Sequence, residues 1–302
     1  MLDMIVIGGG PAGLTAALYG ARAGRQVLVL EKESLGGQIA ISPRVENFPA
    51  VSAVSGVEFA DRLVEQVLAM GAELEFDEAV AIEPLGASYR VKAASGAEWE
   101  SKTVILATGA KARRLGLPHE EQLIGWGVSY CAVCDGAFYQ DKVVAVNGGG
   151  DSALQEALFL SDICAKVYLI HRRDTFRGEM TLVRALQQKS NVEFILRSQI
   201  SALHGEKTLT GIMVTDDQGN HKSLELDGLF VAIGHEPENA LFTSLVPMDD
   251  AGYANIDEAC TVGVSGIFVA GDCRHKSVRQ LTTAVGDGAA AATAACQYLD
   301  LN

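Results

Sequence analysis

Two cysteines three positions apart, Cys131 and Cys134, are followed directly by an acid, Asp135. Two thiols at this spacing can close a small disulfide, and the thiolate is the form of a thiol that reacts. An acid beside the pair is placed to move protons as thiols and thiolates interconvert. The segment therefore predicts a redox-active disulfide with Asp135 as its acid/base group.

The same cysteine spacing also occurs in zinc sites, which need two further Cys or His ligands at short spacing. The remaining cysteines, Cys164, Cys260, Cys273 and Cys296, stand alone, and no two histidines have ligand spacing. We therefore expect no metal site. A strand-like pattern begins at Met4, so we also expect no signal peptide and a cytoplasmic protein, in which such a cysteine pair is catalytic rather than structural.

The totals narrow the class of protein further. A chain of 302 residues exceeds the usual size of a single core and favours two domains. Acidic residues outnumber Lys and Arg by 38 to 24, a net charge of −14, and such a chain is expected to repel nucleic acid and anionic membranes. The sequence has no apolar run of about 18 residues, so no membrane span is expected.

A dinucleotide-binding pattern opens the chain. An apolar strand pattern at 4–7 runs into GGGPAG at 8–13 and then into a helical pattern that Gly24 ends. A second strand pattern at 27–30 ends at Glu31. In units of this kind the helix N-terminus faces the pyrophosphate, and the acid accepts hydrogen bonds from free ribose hydroxyls. We therefore predict that this unit binds an adenosine nucleotide whose ribose hydroxyls are free, as in FAD.

The same pattern returns 140 positions later, as GGGDSA at 148–153, and residues 8–31 align with 148–171 without a gap. Self-similarity of this kind predicts a second copy of the dinucleotide-binding unit.

The second copy differs from the first at the end of its second strand. In place of Glu31 it carries His171-Arg172-Arg173, with Arg177 six residues past His171. Guanidinium groups suit a 2′-phosphate, which they can bind bidentately. We therefore expect the second copy to bind NADPH in preference to NADH.

Further patterns complete the expected fold. Strands are predicted at 73–76, 79–83, 89–93, 98–100, 104–106, 142–147, 192–196, 211–215, 228–233 and 267–270, and helices at 56–70 and 281–299. Segments 110–118 and 234–239 have the composition of linkers.

Six motifs together resemble the bacterial-type low-molecular-weight thioredoxin reductases over essentially the whole chain. They are GGGPAG at 8–13, ATG at 107–109, CAVCDG at 131–136, GGGDSA at 148–153, HRRDTFR at 171–177, and AGD at 270–272 followed by Arg279-Gln280. The resemblance implies an α/β fold of two Rossmann-like dinucleotide-binding domains of the three-layer ββα type. The NADPH domain, 113–240, carries the cysteine pair and is inserted into the FAD domain, 1–112 and 241–302.

The resemblance also implies an activity. NADPH reduces FAD, FAD reduces the Cys131–Cys134 disulfide, and the dithiol reduces thioredoxin, in a homodimer. Cys134 faces the flavin, and Cys131 attacks the disulfide of the partner. Because the cysteines and the NADPH loop share one domain, that domain is expected to swing between two poses about the linkers. The segment after the motif, Gly136 to Tyr139, has one phenylalanine where relatives often carry two, which leaves the surface for the protein partner open.

The candidate cofactor residues follow from these motifs. Those expected to bind FAD are Gly8, Gly10, Pro11, Ala12, Gly13, Glu31, Gly37, Gln38, Asn47, Ala107, Thr108, Gly109, Gly271, Asp272, Arg279, Gln280 and Leu281. Those expected to bind NADPH are Gly148, Gly150, Asp151, Ser152, Ala153, His171, Arg172, Arg173 and Arg177.

Other functions remain to be weighed against this one. The same chemistry could serve another protein disulfide, such as a peroxiredoxin- or glutaredoxin-like acceptor. A ferredoxin-linked relative would lack the arginines, and a ferredoxin–NADP reductase relative would lack the cysteine pair. A non-catalytic nucleotide sensor is disfavoured because both cysteines and Asp135 are present.

Overall fold

The structure is a computed structural model and describes residues 1–42 and 44–302. The chain divides into two compact units, which are described separately. Unit 1 consists of Met1–Lys111 and Glu236–Asn302, and unit 2 consists of Ala112–His235. Residues 236–240, which we predicted to belong to the NADPH domain, group with unit 1.

The helices and strands follow one another in alternation along much of the chain. The first are β1 (Leu2–Ile7), α1 (Pro11–Arg22), β2 (Val27–Glu31), a 3₁₀ helix (Gly37–Ile41), α2 (Gly56–Ala69), β3 (Glu73–Phe76), β4 (Ala79–Pro84), β5 (Tyr89–Ala93), β6 (Glu98–Leu106), β7 (Ala110–Ala112), α3 (Glu120–Leu123), β8 (Val128–Ser129), α4 (Ala132–Asp135) and a 3₁₀ helix (Gly136–Tyr139). The rest are β9 (Val143–Gly148), α5 (Asp151–Ile163), β10 (Lys166–Ile170), α6 (Met180–Gln187), β11 (Val192–Ile195), β12 (Ser198–His204), β13 (Gly211–Asp216), β14 (His221–Glu225), β15 (Gly228–Ala232), β16 (His235–Pro237), a 3₁₀ helix (Ala240–Phe242), β17 (Ile267–Val269) and α7 (Leu281–Leu301).

A seven-stranded sheet is the centre of unit 1. Its order is β3-β2-β1-β6-β5-β4, and β17 also pairs with β6. The strands β1, β2, β3, β6 and β17 pair in parallel, whereas β4 and β5 join antiparallel. Residues 4–7 of β1 are buried on both faces, as an apolar run in a parallel strand requires. The helices α1 and α7 share one hydrophobic core with one face of this sheet.

Unit 2 repeats the arrangement on a smaller scale. Its parallel sheet has the order β11-β10-β9-β15-β8, and β12, β13 and β14 form a separate antiparallel sheet. The helices α5 and α6 share a core with one face of the parallel sheet. The antiparallel sheet shares a second core with residues of β9, β10 and β15. Helices, parallel sheet and antiparallel sheet therefore make three layers.

The predicted fold class, two Rossmann-like dinucleotide-binding domains with one inserted in the other, is confirmed. Two predicted strands, 98–100 and 104–106, are one continuous strand, β6. Its middle residues Ser101 and Thr103 are polar but buried, and their hydroxyls donate to the carbonyl oxygens of Thr103 and Asp3. Over the described residues, no helix is both long and apolar enough to cross a membrane.

Candidate functional site

The first glycine loop joins β1 to α1 and is too tightly packed for side chains at two positions. Gly8 has a φ of +110°, and a Cβ atom there would lie 2.3 Å from the carbonyl oxygen of Ala107. A Cβ atom at Gly13 would lie 1.9 Å from the carbonyl oxygen of Gly8. At Gly10, a Cβ atom would meet no described atom within 4 Å, and no described side chain caps α1. Open space at the uncapped start of a helix fits a phosphate group.

Glu31 lies at the end of β2 and turns its carboxylate back to this loop. Its Oε2 accepts a hydrogen bond from the Gly9 N–H at 2.6 Å, and its Oε1 accepts one from the Glu33 N–H at 2.7 Å. Beside Glu31 lies a cavity of about 220 Å³, which Thr108 and Glu238 also line. A carboxylate fixed at the wall of a cavity, next to a phosphate-binding loop, fits the hydroxyls of a ribose.

Two more of the predicted FAD segments lie against the first loop. A Cβ atom at Gly37 would lie 3.3 Å from the Cα of Gly10, and one at Gly271 would lie 2.8 Å from the Cβ of Ala12. The glycine turn at 36–38 and the loop after β17 therefore both border the start of α1, and Pro11 is the first residue of that helix.

The remaining predicted FAD residues are also in unit 1. Asn47 Nδ2 donates to Gln280 Oε1 at 3.2 Å, which joins two segments far apart in sequence. Gln280 caps α7, which begins at Leu281, and the Arg279 guanidinium lies 4.1 Å from the ring centre of Tyr253. The other members of the set lie in the 3₁₀ helix after Gly36 (Gln38), directly after β6 (Ala107, Thr108, Gly109) and in the loop after β17 (Asp272).

The second glycine loop joins β9 to α5 in the same way. A Cβ atom at Gly148 would lie 2.3 Å from the carbonyl oxygen of Ala232, and Ala153 is fully buried beside it. No described side chain caps α5 at Gly150. Asp151 and Ser152, the first residues of α5, are exposed, and Asp151 accepts a hydrogen bond from the Glu179 N–H at 2.7 Å.

The basic cluster after β10 divides into one buried ring and three exposed cations. His171 is 6% exposed, and its ring stacks on Phe176 with 5.3 Å between ring centres. Burial is the largest effect on His171, and with the neighbouring arginines it lowers the pKa of the imidazole. Arg172, Arg173 and Arg177 are exposed and form no ion pair with any described residue. Three unpaired guanidinium groups at this position fit the 2′-phosphate of NADPH.

Cys131 and Cys134 form a disulfide in unit 2, with their Cα atoms 5.3 Å apart. The short helix α4 contains Cys134, whose N–H donates to the Cys131 Sγ at 3.2 Å. Between the two cysteines, Ala132 is fully buried in the core that α5 shares, while Val133 is exposed. Both cysteines are half-buried, so the pair lies at the surface of a helix-backed loop.

Asp135 is held beside the disulfide by a residue that the sequence did not point to. The Ser129 hydroxyl donates to Asp135 Oδ2 at 2.6 Å and accepts from the Cys131 N–H at 3.1 Å. The other carboxyl oxygen, Oδ1, is buried and has no hydrogen-bond partner among the described residues. Burial raises the pKa of Asp135, and the Ser129 hydrogen bond only partly opposes this effect. A carboxyl group in this setting retains a proton at higher pH than an exposed one, as an acid/base residue requires.

Besides Ser129, two further residues that precede Cys131 in the chain, Glu120 and Tyr130, were not predicted from the sequence. The buried Glu120 carboxylate accepts hydrogen bonds from the N–H groups of Leu115 and Gly116, each at 2.8 Å, and from the Tyr130 hydroxyl at 2.6 Å. It thereby joins the segment after β7 to the residue preceding Cys131. No motif marks these residues, because their partners meet only in the folded chain.

Two dinucleotide-type loops on parallel sheets, together with a surface disulfide and a half-buried acid, define a nucleotide-dependent disulfide oxidoreductase. The family model described as pyridine nucleotide-disulphide oxidoreductase matches residues 2–288. The chain belongs to this family.

Individual relatives agree with this assignment. A thioredoxin reductase of Peptoclostridium acidaminophilum is 40% identical over 308 residues, which cover 99% of this chain and 98% of the relative. The crystal structure of thioredoxin reductase from Streptococcus pyogenes MGAS5005 is 38% identical, with a TM-score of 0.95 over 100% of this chain and 99% of that one. The structure of thioredoxin reductase from Giardia duodenalis is 33% identical, with a TM-score of 0.92 over 99% of both chains.

These comparisons confirm the resemblance to the low-molecular-weight thioredoxin reductases and the prediction of an NADPH-dependent flavin disulfide oxidoreductase. The cofactors of this family are FAD and NADPH. The uncapped helix starts, the Glu31 carboxylate beside the first loop and the three exposed arginines are features that fit these two nucleotides.

Proposed function

We propose that this protein is a thioredoxin-disulfide reductase, which passes electrons from NADPH through FAD and the Cys131–Cys134 pair to the disulfide of thioredoxin. The observation that carries the proposal is the closed Cys131–Cys134 disulfide beside the half-buried Asp135, in the unit that also carries the arginine cluster. The names of the relatives support thioredoxin as the acceptor.

We assign the two nucleotides to different units. In unit 1, the loop at 8–13, Glu31 and the loop at 271–272 would hold FAD. In unit 2, the loop at 148–153 and the exposed arginines after His171 would hold NADPH. When bound, the two nucleotides supply a path for two electrons from the nicotinamide to the disulfide sulfur.

Within the protein, Asp135 would manage the protons of the disulfide. Opening the disulfide adds two electrons, breaks the S–S bond and needs two protons to give two thiols. Because burial raises its pKa, Asp135 holds a proton at higher pH than an exposed carboxyl group does, and it can give that proton to a newly formed thiolate. The Ser129 hydrogen bond keeps the carboxyl group oriented beside the pair while the proton moves.

Transfer to thioredoxin would be a pair of thiol–disulfide exchanges. The Cys131 thiolate attacks one sulfur of the thioredoxin disulfide, and a mixed disulfide forms as the other thioredoxin sulfur leaves as a thiolate. Cys134 then attacks the mixed disulfide at Cys131, which restores the Cys131–Cys134 bond. Thioredoxin leaves with two thiols, and the electron count balances.

The direct test is NADPH oxidation with a panel of oxidised thioredoxin, glutaredoxin-like and peroxiredoxin-like proteins. We expect thioredoxin to be reduced fastest, and Cys131→Ser and Cys134→Ser each to abolish turnover while NADPH still bleaches the flavin absorbance. Cys296→Ser, which removes an unpaired cysteine, is the control and should turn over normally. Faster reduction of another acceptor would reassign the substrate, and normal turnover in Cys131→Ser would refute the route through this pair.

We further propose that the protein acts as a homodimer, as the resemblance to thioredoxin reductases implies, and that it works in the cytoplasm, where a cysteine pair of this kind is catalytic rather than structural. Light scattering of the purified holoenzyme checks the dimer and should give twice the mass of the chain. A monomer that retains full turnover would remove the homodimer from the proposal.

A further inference from the structure

A cluster of buried charges lies behind the loop that follows β17 in unit 1. Asp287, on α7, accepts hydrogen bonds from Arg274 Nη2 at 2.7 Å and Arg274 Nε at 2.9 Å. It also accepts one from Lys276 Nζ at 3.1 Å. The side chains of Asp287, Arg274 and Lys276 are only 9%, 12% and 8% exposed. Burial acts to raise the pKa of Asp287, but the two cations outweigh it, so this pKa lies below its usual value.

Burying such charges is a poor way to gain stability. The cost of removing ions from water often cancels their attraction, and apolar side chains of similar size commonly serve as well. The cluster therefore calls for a role other than stability, and the role is indicated by what Lys276 contacts.

Lys276 bridges two carboxylates. Its Nζ lies 2.9 Å from Asp272 Oδ1 and 3.1 Å from Asp287 Oδ2, and it donates to Thr283 Oγ1 at 3.4 Å. The Asp272 side chain is 33% exposed, yet its Oδ1 is sealed from solvent. Among the described residues this oxygen has no hydrogen-bond partner, so the ion pair with Lys276 is what fixes it from inside the protein, and the rest of the carboxylate remains accessible.

The backbone next to Asp272 is fixed from the same side. The Gly271 N–H donates to Asp287 Oδ2 at 3.1 Å, and Gly271 has a φ of +84°. A side chain at Gly271 would collide with Ala12 at the start of α1, where its Cβ atom would lie 2.8 Å away. Asp287 therefore holds the loop twice, through the backbone of Gly271 and through Lys276.

We propose that Lys276, anchored by Asp287, is a positioning residue that orients Asp272 toward a hydrogen-bond donor of the bound flavin nucleotide. The proposal rests on the proposed function, in which Asp272 contacts FAD. Lys276 acts only through Asp272: it neutralises the inner oxygen and fixes the carboxylate, so that the accessible part points to the ligand. Without Lys276, the inner oxygen of Asp272 would be buried without a counter-charge, and the carboxylate would turn away from the ligand.

The test is a double-mutant cycle on flavin release from the full-length holoenzyme. Lys276→Met, Asp272→Asn and the double variant are diluted, and the rise in flavin fluorescence gives the release rate. We expect each single variant to release flavin roughly tenfold faster than wild type, the effect of losing one charge-assisted hydrogen bond. The double variant should release it no more than about twofold faster than Asp272→Asn, because residues that act through one another are not additive.

The control variant is Lys102→Met, which removes a surface lysine of the same unit that pairs with Asp3, and its release rate should match wild type. Thermal unfolding checks that each variant folds, and Lys276→Gln replaces Lys276→Met in the cycle should the latter fail to fold. If Lys276→Met accelerates release as much in the Asn background as in wild type, Lys276 does not act through Asp272 and the inference is wrong. If Asp272→Asn releases flavin at the wild-type rate, the assignment of Asp272 to FAD in the proposed function fails, and the inference falls with it.

Discussion

The two glycine loops share one backbone plan but differ in the side chain that meets the central glycine. In unit 1, the Gly9 N–H donates to the Glu31 carboxylate. In unit 2, the equivalent place beside Gly149 is filled by the ring of His171, with which a Cβ atom on Gly149 would collide at 2.2 Å. Both side chains end the second strand of their copy or directly follow it, so the same position of the fold carries an acid in one copy and a neutral ring in the other.

The difference between the two glycine loops indicates how one type of structural unit could bind two different nucleotides. In our proposal, the strand, the loop and the uncapped helix start form the phosphate site in both copies. The residues at the end of the second strand would then distinguish the two nucleotides. The acid of the first copy would accept hydrogen bonds from ribose hydroxyls. The buried His171 places Arg172 and Arg173 at the surface without acidic partners in the described chain, where a 2′-phosphate would supply the missing charge.

The copies differ also in the packing of the third glycine position. A Cβ atom at Gly13 would lie 1.9 Å from the Gly8 carbonyl oxygen, whereas the second copy accommodates Ala153 there, fully buried. The first loop is thus wound more tightly against its helix than the second.

The largest expected effect comes from exchanging these two residues. Gly13→Ala should force the backbone of the loop apart, destabilise the protein by about 1–3 kcal/mol and yield protein with little flavin. Ala153→Gly should cost only about 0.5–1 kcal/mol. Flavin content per chain and the thermal unfolding midpoint measure both effects.

The control for this exchange is Gly286→Ala on α7, where a Cβ atom would meet no described atom within 4 Å. It should leave flavin content unchanged. Equal flavin content in Gly13→Ala and wild type would show that the tight winding of the first loop is not needed for binding.

The next effect, on nucleotide binding rather than on the fold, is expected from the arginines. Arg172→Ala with Arg173→Ala should weaken NADPH binding by about 1.5–3 kcal/mol in total, the range for hydrogen bonds to charged groups, and should leave NADH binding almost unchanged. The ratio of kcat/KM for the two nucleotides is the measurement. Arg197→Ala is the matched control, because Arg197 already pairs with Asp174 and Asp217. A wild type that uses both nucleotides equally well would contradict the assignment of the cluster.

The smallest effect concerns the protonation of His171. Because burial lowers its pKa in the folded protein below the unfolded value, the neutral ring stabilises the fold above about pH 6.5. This contribution is lost as the pH falls through the lowered pKa. Between pH 7.5 and 5.5, wild type should therefore lose more thermal stability than His171→Gln, by no more than about 2–4 °C. An equal loss in the two proteins would mean that His171 keeps an ordinary pKa.

Most of the parallel-sheet framework could be predicted from the sequence, because buried parallel strands are short apolar runs that end at glycine turns. The helices and strands that the sequence did not predict have few buried residues. In β14 only Leu224 is buried, and most residues of β12 are exposed or half-buried. Both segments form strands because they pair with β13. The helix α6 is separated from β10 by only nine residues and has just two buried side chains, Val183 and Leu186, so its pattern is too short to be recognised in the sequence.

The residues of the candidate site also fall into those that could be predicted from the sequence and those that could not. The cysteine pair, Asp135, the glycine loops, Glu31 and the arginines are recognisable because each depends on neighbours in the chain. The Ser129 hydroxyl reaches the Asp135 carboxylate only because β8 and α4 meet at the disulfide. The Glu120 carboxylate accepts the hydrogen bond of the Tyr130 hydroxyl while the backbone of the segment 115–117 holds it in place, a contact that exists only in the folded chain.

Residue types at short spacing were enough to predict a redox disulfide, two phosphate-binding loops and a difference in charge between the two nucleotide sites. Such features depend on neighbouring residues, whose local backbone geometry follows from the sequence. How each charged group is held depends instead on contacts between distant parts of the folded chain. Asp287 reaches Gly271, Arg274 and Lys276 because α7 packs behind the loop after β17. Such contacts join residues with no pattern between them, since burial and hydrogen bonding depend on which surfaces meet when the chain folds.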